Sequence, residues 1–201
     1  MIVLGERAIV AVLRQAYQEI KSNLSFYIPY IYGQEDTTDQ EDIMQWWQTY
    51  EISIVQAYPE GKVTEPTIAV AIEPGRESKR FVSRAATISS SPNYIIQTQY
   101  HGRFSIHAIT INQDSTLWVW AFIMWAMQLY TFVLEYEPYG LMNQVISYTG
   151  QVPRPNSADD SIFPYERIVY LDCDFENTVM FPPVPAIKSA TPTIINTNEG
   201  G

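Results

Sequence analysis

Four side chains come first when this sequence is searched for chemistry. His101 and His107 belong to the run "YHGRFSIHAITIN", and Asp172 and Asp174 to "YLDCDFENTV". Both stretches alternate, so each pair is expected on one face of a strand. Six positions at strand rise separate the histidines by about 20 Å, too far to share a metal ion. They are expected to be solvent or interface histidines. Asp172 and Asp174 fall about 7 Å apart, a spacing that suits a divalent cation or an acid/base pair. No third ligand can be recognised, so the expected reading is two carboxylates on the solvent side of a strand. On that reading, replacing both by Asn costs no more than about 1–2 kcal/mol.

Two further charged stretches qualify. The first holds Glu35, Asp36, Asp39, Glu41 and Asp42 in "GQEDTTDQED". It lacks the one-three-five carboxylate spacing and the closing Glu of a calcium loop, and reads as a solvated, turn-rich loop. The second holds Arg76, Lys79, Arg80 and Arg84 in "PGRESKRFVSR", a local reversal of sign in an acidic chain. It is either a mobile hairpin loop or a docking point for an acidic neighbour, such as another copy of the chain. No phosphate-binding loop, dinucleotide turn, Cys-x-x-Cys or His-Glu-x-x-His occurs. No nucleophile, base and orienter can be assembled from the serines. No catalysis, cofactor or metal is expected. The one cysteine, Cys173, is expected to be a small core hydrophobe.

The elements that must position these residues are legible in part. "GERAIVAVLRQAYQEIKSNL" sets Ile9, Val12, Leu13, Ala16 and Ile20 at helical spacing, predicting an amphipathic helix of about five turns. "NLSFYIPYIYG" reads as extended, because Pro29 is excluded from a helix interior. "YEISIVQAY" and "PTIAVAIEP" read as short strands. In the longest strand signal, Phe104, Ile106 and Ala108 share one face and Arg103, Ser105 and His107 the other. Val169, Leu171, Cys173 and Phe175 similarly oppose Tyr170, Asp172 and Asp174.

Between those strands lies "LWVWAFIMWAMQLYTFVL", Leu117 to Leu134, with no charge and three of the five tryptophans. A helix from Thr116 to Glu135, capped by Asp114 or Ser115, is about long enough to span a bilayer. Its flanks are acidic, however, and its neighbours are strands whose apolar faces need covering. The helix is therefore expected to be buried on a sheet, with no membrane contact.

The expected class is α+β: a small, mainly antiparallel sheet packed against an N-terminal helix and a central aromatic-rich helix. Residues 1–181 are expected to form one domain and residues 182–201, rich in Pro, Thr and Asn, an arm or tail. Twelve basic against twenty-two acidic residues give a formal charge of −10, which argues against wrapping nucleic acid. Glu6 stands where the basic region of a signal peptide would lie, and a single cysteine suits a reducing cytoplasm.

This layout of helix, small sheet, "YHGRFSIHAITIN", covering helix and "YLDCDFENTV" resembles the tail terminator and neck proteins of long-tailed bacteriophages over roughly residues 1–181. The resemblance implies a structural virion protein, made in the host cytoplasm, that forms a six-membered ring. Such a ring caps the tail tube, touches tube and sheath protein, and offers a platform to the head connector. DNA would pass through it without specific binding. A head-side neck adaptor is the alternative within that class, and a small ligand-binding domain or enzyme the alternative outside it. Arg76, Lys79, Arg80 and Arg84 would then face a neighbouring subunit. Glu35, Asp36, Asp39, Glu41, Asp42, Asp172 and Asp174 would line or rim the channel.

Overall fold

The computed structural model describes residues 2–33, 37–57, 65–73, 78–87, 94–135, 140–149, 152–153 and 165–181. Helix α1 (Ile2–Ser22) buries Ala8, Ile9, Val12, Leu13, Ala16 and Ile20, the stripe that its spacing predicts. Gly5 lets it lie close to the sheet: a Cβ there would stand 2.5 Å from the Cζ of Phe104. Near its C-terminus, Lys21 donates to the carbonyls of Trp47 and Tyr50 and pairs with Glu51 at 3.1 Å, closing off the end of another helix.

That helix and the one before it depart from the sequence reading. Residues 24–32, expected to be extended, form α2 (Leu24–Tyr32) with Pro29 inside. A proline in a helix interior costs about 3 kcal/mol or more. Here it removes one bond, the one to the carbonyl of Ser25, and burial outweighs that loss. Ile28 is fully buried, and Leu24, Tyr27, Ile31 and Tyr32 pack against the core. The Tyr32 hydroxyl donates to the carbonyl of Trp118 at 2.8 Å and accepts from the Trp47 indole at 3.1 Å. Gly33, at φ 95, ends the helix.

The acidic stretch is not a loop where it is described: Asp39, Glu41 and Asp42 lie on α3 (Thr37–Thr49), while Glu35 and Asp36 fall outside the described residues. Asp39 in the first turn favours the positive end of the helix dipole. Ile43, Trp46 and Trp47 provide the apolar stripe that binds α3 to the core.

The strands are β1 (Ser53–Gln56), β2 (Thr67–Ile72), β3 (Ser78–Thr87), β4 (Tyr94–Thr110), β5 (Leu141–Tyr148), β6 (Val152–Pro153) and β7 (Tyr165–Phe181). They form one sheet in the order β1-β2-β4-β7-β5, with β3 also on β4 and β6 also on β7. Only the β1–β2 pairing is parallel among the described strands. The fold is therefore α+β with a mainly antiparallel sheet. β4 and β7 pair along their whole lengths, from Thr110↔Tyr165 to Tyr94↔Phe181. β2 flanks β4 at one end, and β3 flanks it at the other.

The expected basic loop is thus largely strand. Lys79, Arg80 and Arg84 belong to β3, and Arg76 lies outside the described residues. Register shifts interrupt the β3–β4 pairing between Lys79 and Phe81 and between Ser83 and Ala86, around Arg80 and Arg84. Bulges and basic residues are devices by which an edge strand resists further pairing.

The aromatic helix is α4 (Gln113–Leu129), followed after Tyr130 by α5 (Thr131–Glu135). Its cap is Asn112, whose side chain accepts from the Asp114 amide, so the helix starts three residues before the expected Thr116. Ser115 and Thr116 are buried at its first turn, where their hydroxyls meet that of Thr110. Val119, Phe122, Ile123, Ala126 and Met127 then cover Phe104, Ile106 and Ala108 of β4 and Val169, Leu171 and Cys173 of β7. At about 1.5–3 kcal/mol for each large apolar side chain taken from water, this layer is a large contribution to the stability of the fold. No helix among the described residues is long and apolar enough to cross a membrane.

Candidate functional site

The face of the sheet opposite α4 carries a polar ladder set by the β4–β7 register. His101 faces Asp174, Arg103 faces Asp172 and Ser105 faces Tyr170. The Asp174 carboxylate is only 3% exposed and receives His101 Nδ1 at 2.9 Å and Asn143 Nδ2 at 2.8 Å. Asn143 reaches it from a bulge in β5, where its φ of 52 turns the backbone left-handed. Arg103 meets Asp172 with two bonds, at 2.8 and 2.9 Å, and lies over the Tyr170 ring. Asp174 is therefore a buried structural partner, whereas Asp172, its side chain 19% exposed, stays partly solvated on that face. Nor are the histidines free surface groups: each is hydrogen-bonded to a carboxylate, and His107 is buried.

Ser105, His107 and Glu166 form an arrangement that the sequence did not disclose. His107 Nδ1 meets Glu166 at 2.6 Å and its Nε2 meets the Ser105 hydroxyl at 2.9 Å. In order, this is the nucleophile, base and orienter of an acyl-transfer triad. Its surroundings differ from those of an active site. Ser105 is 5% exposed, and its hydroxyl donates to the Ala71 carbonyl at 3.2 Å. β4 is paired there on both sides, with β2 and β7, so its amides serve the ladders instead of an oxyanion. The chemistry this leaves is that of a buried polar network, which specifies register by being satisfied in one pairing alone. Among the described residues, no three His, Cys, Asp or Glu gather as metal ligands. Cys173 is buried, and burial first, then Asp174 and Asp172, push its thiol up to about 12. Such a thiol is inert.

A second site lies on the helix side of the molecule. Asp42, Gln45, Trp46, Thr49 and Tyr50 of α3 and its end, with Asn112, Ser115 and Trp118 at the start of α4, line a groove of about 310 Å³. Asp42, Trp46 and Tyr50 are spaced four apart and share one face of α3. Trp46 packs edge-on to Trp118 at 5.7 Å and lies tilted against Tyr50 at 5.6 Å, with Tyr50 47% exposed. The groove thus has aromatic walls, amide and hydroxyl groups between them, and a carboxylate at one end. The signal was present in "DIMQWWQTY", but it has meaning only once residues 37–49 are known to be helical.

Exposed apolar side chains form the third feature. Phe26 and Tyr30 stack at 6.3 Å on α2, 59% and 72% exposed. Leu129, Phe132 and Val133 are exposed where α4 passes into α5, as are Val145 and Tyr148 on β5. No protein-family model and no curated protein matches the chain.

Proposed function

We propose that this chain is a structural subunit of a bacteriophage neck, a tail terminator whose six copies form a ring between tail tube and head connector. The observation that supports this reading best is the exposed apolar surface on separate elements: Phe26 and Tyr30 on α2, Leu129 and Phe132 around α5, Val145 and Tyr148 on β5. Subunits that join head to tail need two unlike surfaces, and large exposed side chains mark such contacts. Six copies carry a formal charge of about −60, six times −10. Of the acidic residues first assigned to the channel, Asp39, Glu41 and Asp42 remain suited to it, because α3 holds them exposed. An acidic lumen lets DNA slide without adhering. The head-side adaptor shares all these properties.

Electron cryomicroscopy of assembled particles, with this chain located by its density, tests the reading. A sixfold ring between tube and connector is the expected result, and a ring seated directly on the portal moves the assignment to the adaptor. An enzyme is the second reading, carried by the Ser105–His107–Glu166 arrangement alone and opposed by the burial of Ser105 and the paired amides of β4. Covalent labelling of Ser105 in the folded chain by a fluorophosphonate, abolished by His107→Ala, would replace the structural role with that one.

A further inference from the structure

We infer that the groove between α3 and α4 binds the proline-rich segment Pro182–Lys188 of a second copy of this chain. The inference takes from the ring reading only its source of a second copy. Three observations support it.

Chemistry is the first. The segment reads "PPVPAIK", and its three prolines within four positions favour the polyproline II conformation. Ligands of that kind dock in grooves walled by tryptophan and tyrosine, with side-chain donors for their unpaired carbonyls. Trp46, Tyr50 and Trp118 provide the walls here, and Gln45 and Asn112 the amides.

Charge and spacing are the second. Lys188 is the one basic residue in 182–201. The groove ends in Asp42, on a helix that also exposes Asp39 and Glu41. Along α3 the aromatic pair Trp46 and Tyr50 is centred about 9 Å from Asp42, at 1.5 Å per residue. In polyproline II geometry Pro185 and Lys188 are also about 9 Å apart. Proline against the rings therefore brings the lysine to the carboxylate.

Reach is the third, and it selects the second copy. β7 ends at Phe181 opposite Tyr94, whereas the groove adjoins Asn112, beyond the other end of β4. The length of β4 puts about 50 Å between these points at strand rise. Seven residues, fully extended, span at most about 25 Å. Pro182–Lys188 therefore cannot return to its own groove, but it can enter that of a neighbour.

Intermolecular cross-linking of the full chain tests this. Two differently tagged copies are mixed, one carrying Thr49→Cys at the groove and the other Ala186→Cys, and joined by a short bismaleimide. Buried Cys173 contributes no background in the folded chain. The expected product is a two-tag dimer, formed in much larger amount than with Asn198→Cys in place of Ala186→Cys. Trp46→Ala should slow its formation more than tenfold, as for an aromatic anchor. Asp42→Lys should slow it about two- to fivefold at low salt, the range of an exposed ion pair, and Lys188→Asp should restore it. The charge exchange keeps the test valid if Trp46→Ala fails to fold. Equal yields from positions 186 and 198 would overturn the inference. So would an intrachain link when both cysteines share one chain at high dilution. Because the free protein is used, a negative result leaves the ring reading standing, and a ring absent from particles leaves a positive one standing.

Discussion

Replacing Asp174 by Ala should destabilise the fold more than the same change at Asp172, although both were read from the sequence as solvent-side carboxylates. Asp174 is 3% exposed, and the donors to it include His101 and Asn143. A hydrogen bond to a charged group contributes about 1.5–3 kcal/mol. Both donors retain access to water once the carboxylate is gone: the His101 side chain is 28% exposed and Asn143 is exposed. Rehydration discounts the loss, leaving about 2–3 kcal/mol for two bonds. The Asp172 and Arg103 side chains are 19% and 27% exposed, and the pair behaves more like a surface ion pair, worth about 1 kcal/mol. Urea titration should show the midpoint falling at unchanged slope, and the thermal midpoint of Asp174→Ala should drop by about 5–10 °C. A double-mutant cycle with His101→Ala should give a coupling of about 1–2 kcal/mol. Equal losses for the two aspartates, or a coupling of zero, would refute the assignment of Asp174 as the anchor of this network.

Three further outcomes follow from particular contacts. Gly5→Ala gains about 1 kcal/mol of helix propensity but forces a methyl into the fully buried Phe104 ring. A net loss of about 1–2 kcal/mol is expected, partly recovered by Phe104→Leu, and a stabilised Gly5→Ala variant would refute the close approach. Tyr17, Tyr32 and Tyr130 are held well above the usual 10.0, in each case first by burial. Their neutral forms are favoured by folding, so that stability is complete below pH 10 and lost as pH rises past it. Absorbance at 295 nm should show them ionising only as the chain unfolds; ionisation without loss of circular dichroism would count against their burial. Cys173 should resist Ellman's reagent at pH 8 until denaturant is added, and rapid labelling of the native chain would contradict the packing of β7 under α4.

What the sequence disclosed was periodicity. α1 repeats its apolar residues at helical spacing, and β4 and β7 alternate from Gly102 to Ala108 and from Val169 to Phe175, so their buried faces were legible residue by residue. Elements whose local signal opposes their tertiary setting were not. Pro29 hid α2, five carboxylates hid the start of α3, and the basic residues of β3 masked an edge strand as a loop. The polar ladder stayed hidden for a different reason. Its links between β4 and β7 cross gaps of 59, 69 or 73 residues, and only the register of two strands brings such partners together. Likewise, the groove needs α3 beside the first turns of α4, a juxtaposition that neither segment encodes alone.

The full-length pairing of β4 with β7 also dictates an order of events during folding. Both strands are interior partners, yet α4, α5, β5 and β6 all lie between them in the chain. β4 must therefore wait for β7 with its central position unfilled. Of the side-chain links between β4 and β7 named above, His107–Glu166 closes the shortest loop, next to the Thr110↔Tyr165 end of the pairing, so pairing should nucleate at that end, beneath the start of α4, and zip toward Tyr94 and Phe181. Extending from a 59- to a 73-residue separation adds only about 0.2 kcal/mol of closure entropy, so the first contact carries nearly the whole entropic barrier. Pairing at such separations folds slowly. During that delay β4, even when paired with β2 and β3, keeps one long edge open, the state in which chains associate wrongly. A protein built this way should reach high yield only when its concentration stays low until residue 181 has left the ribosome.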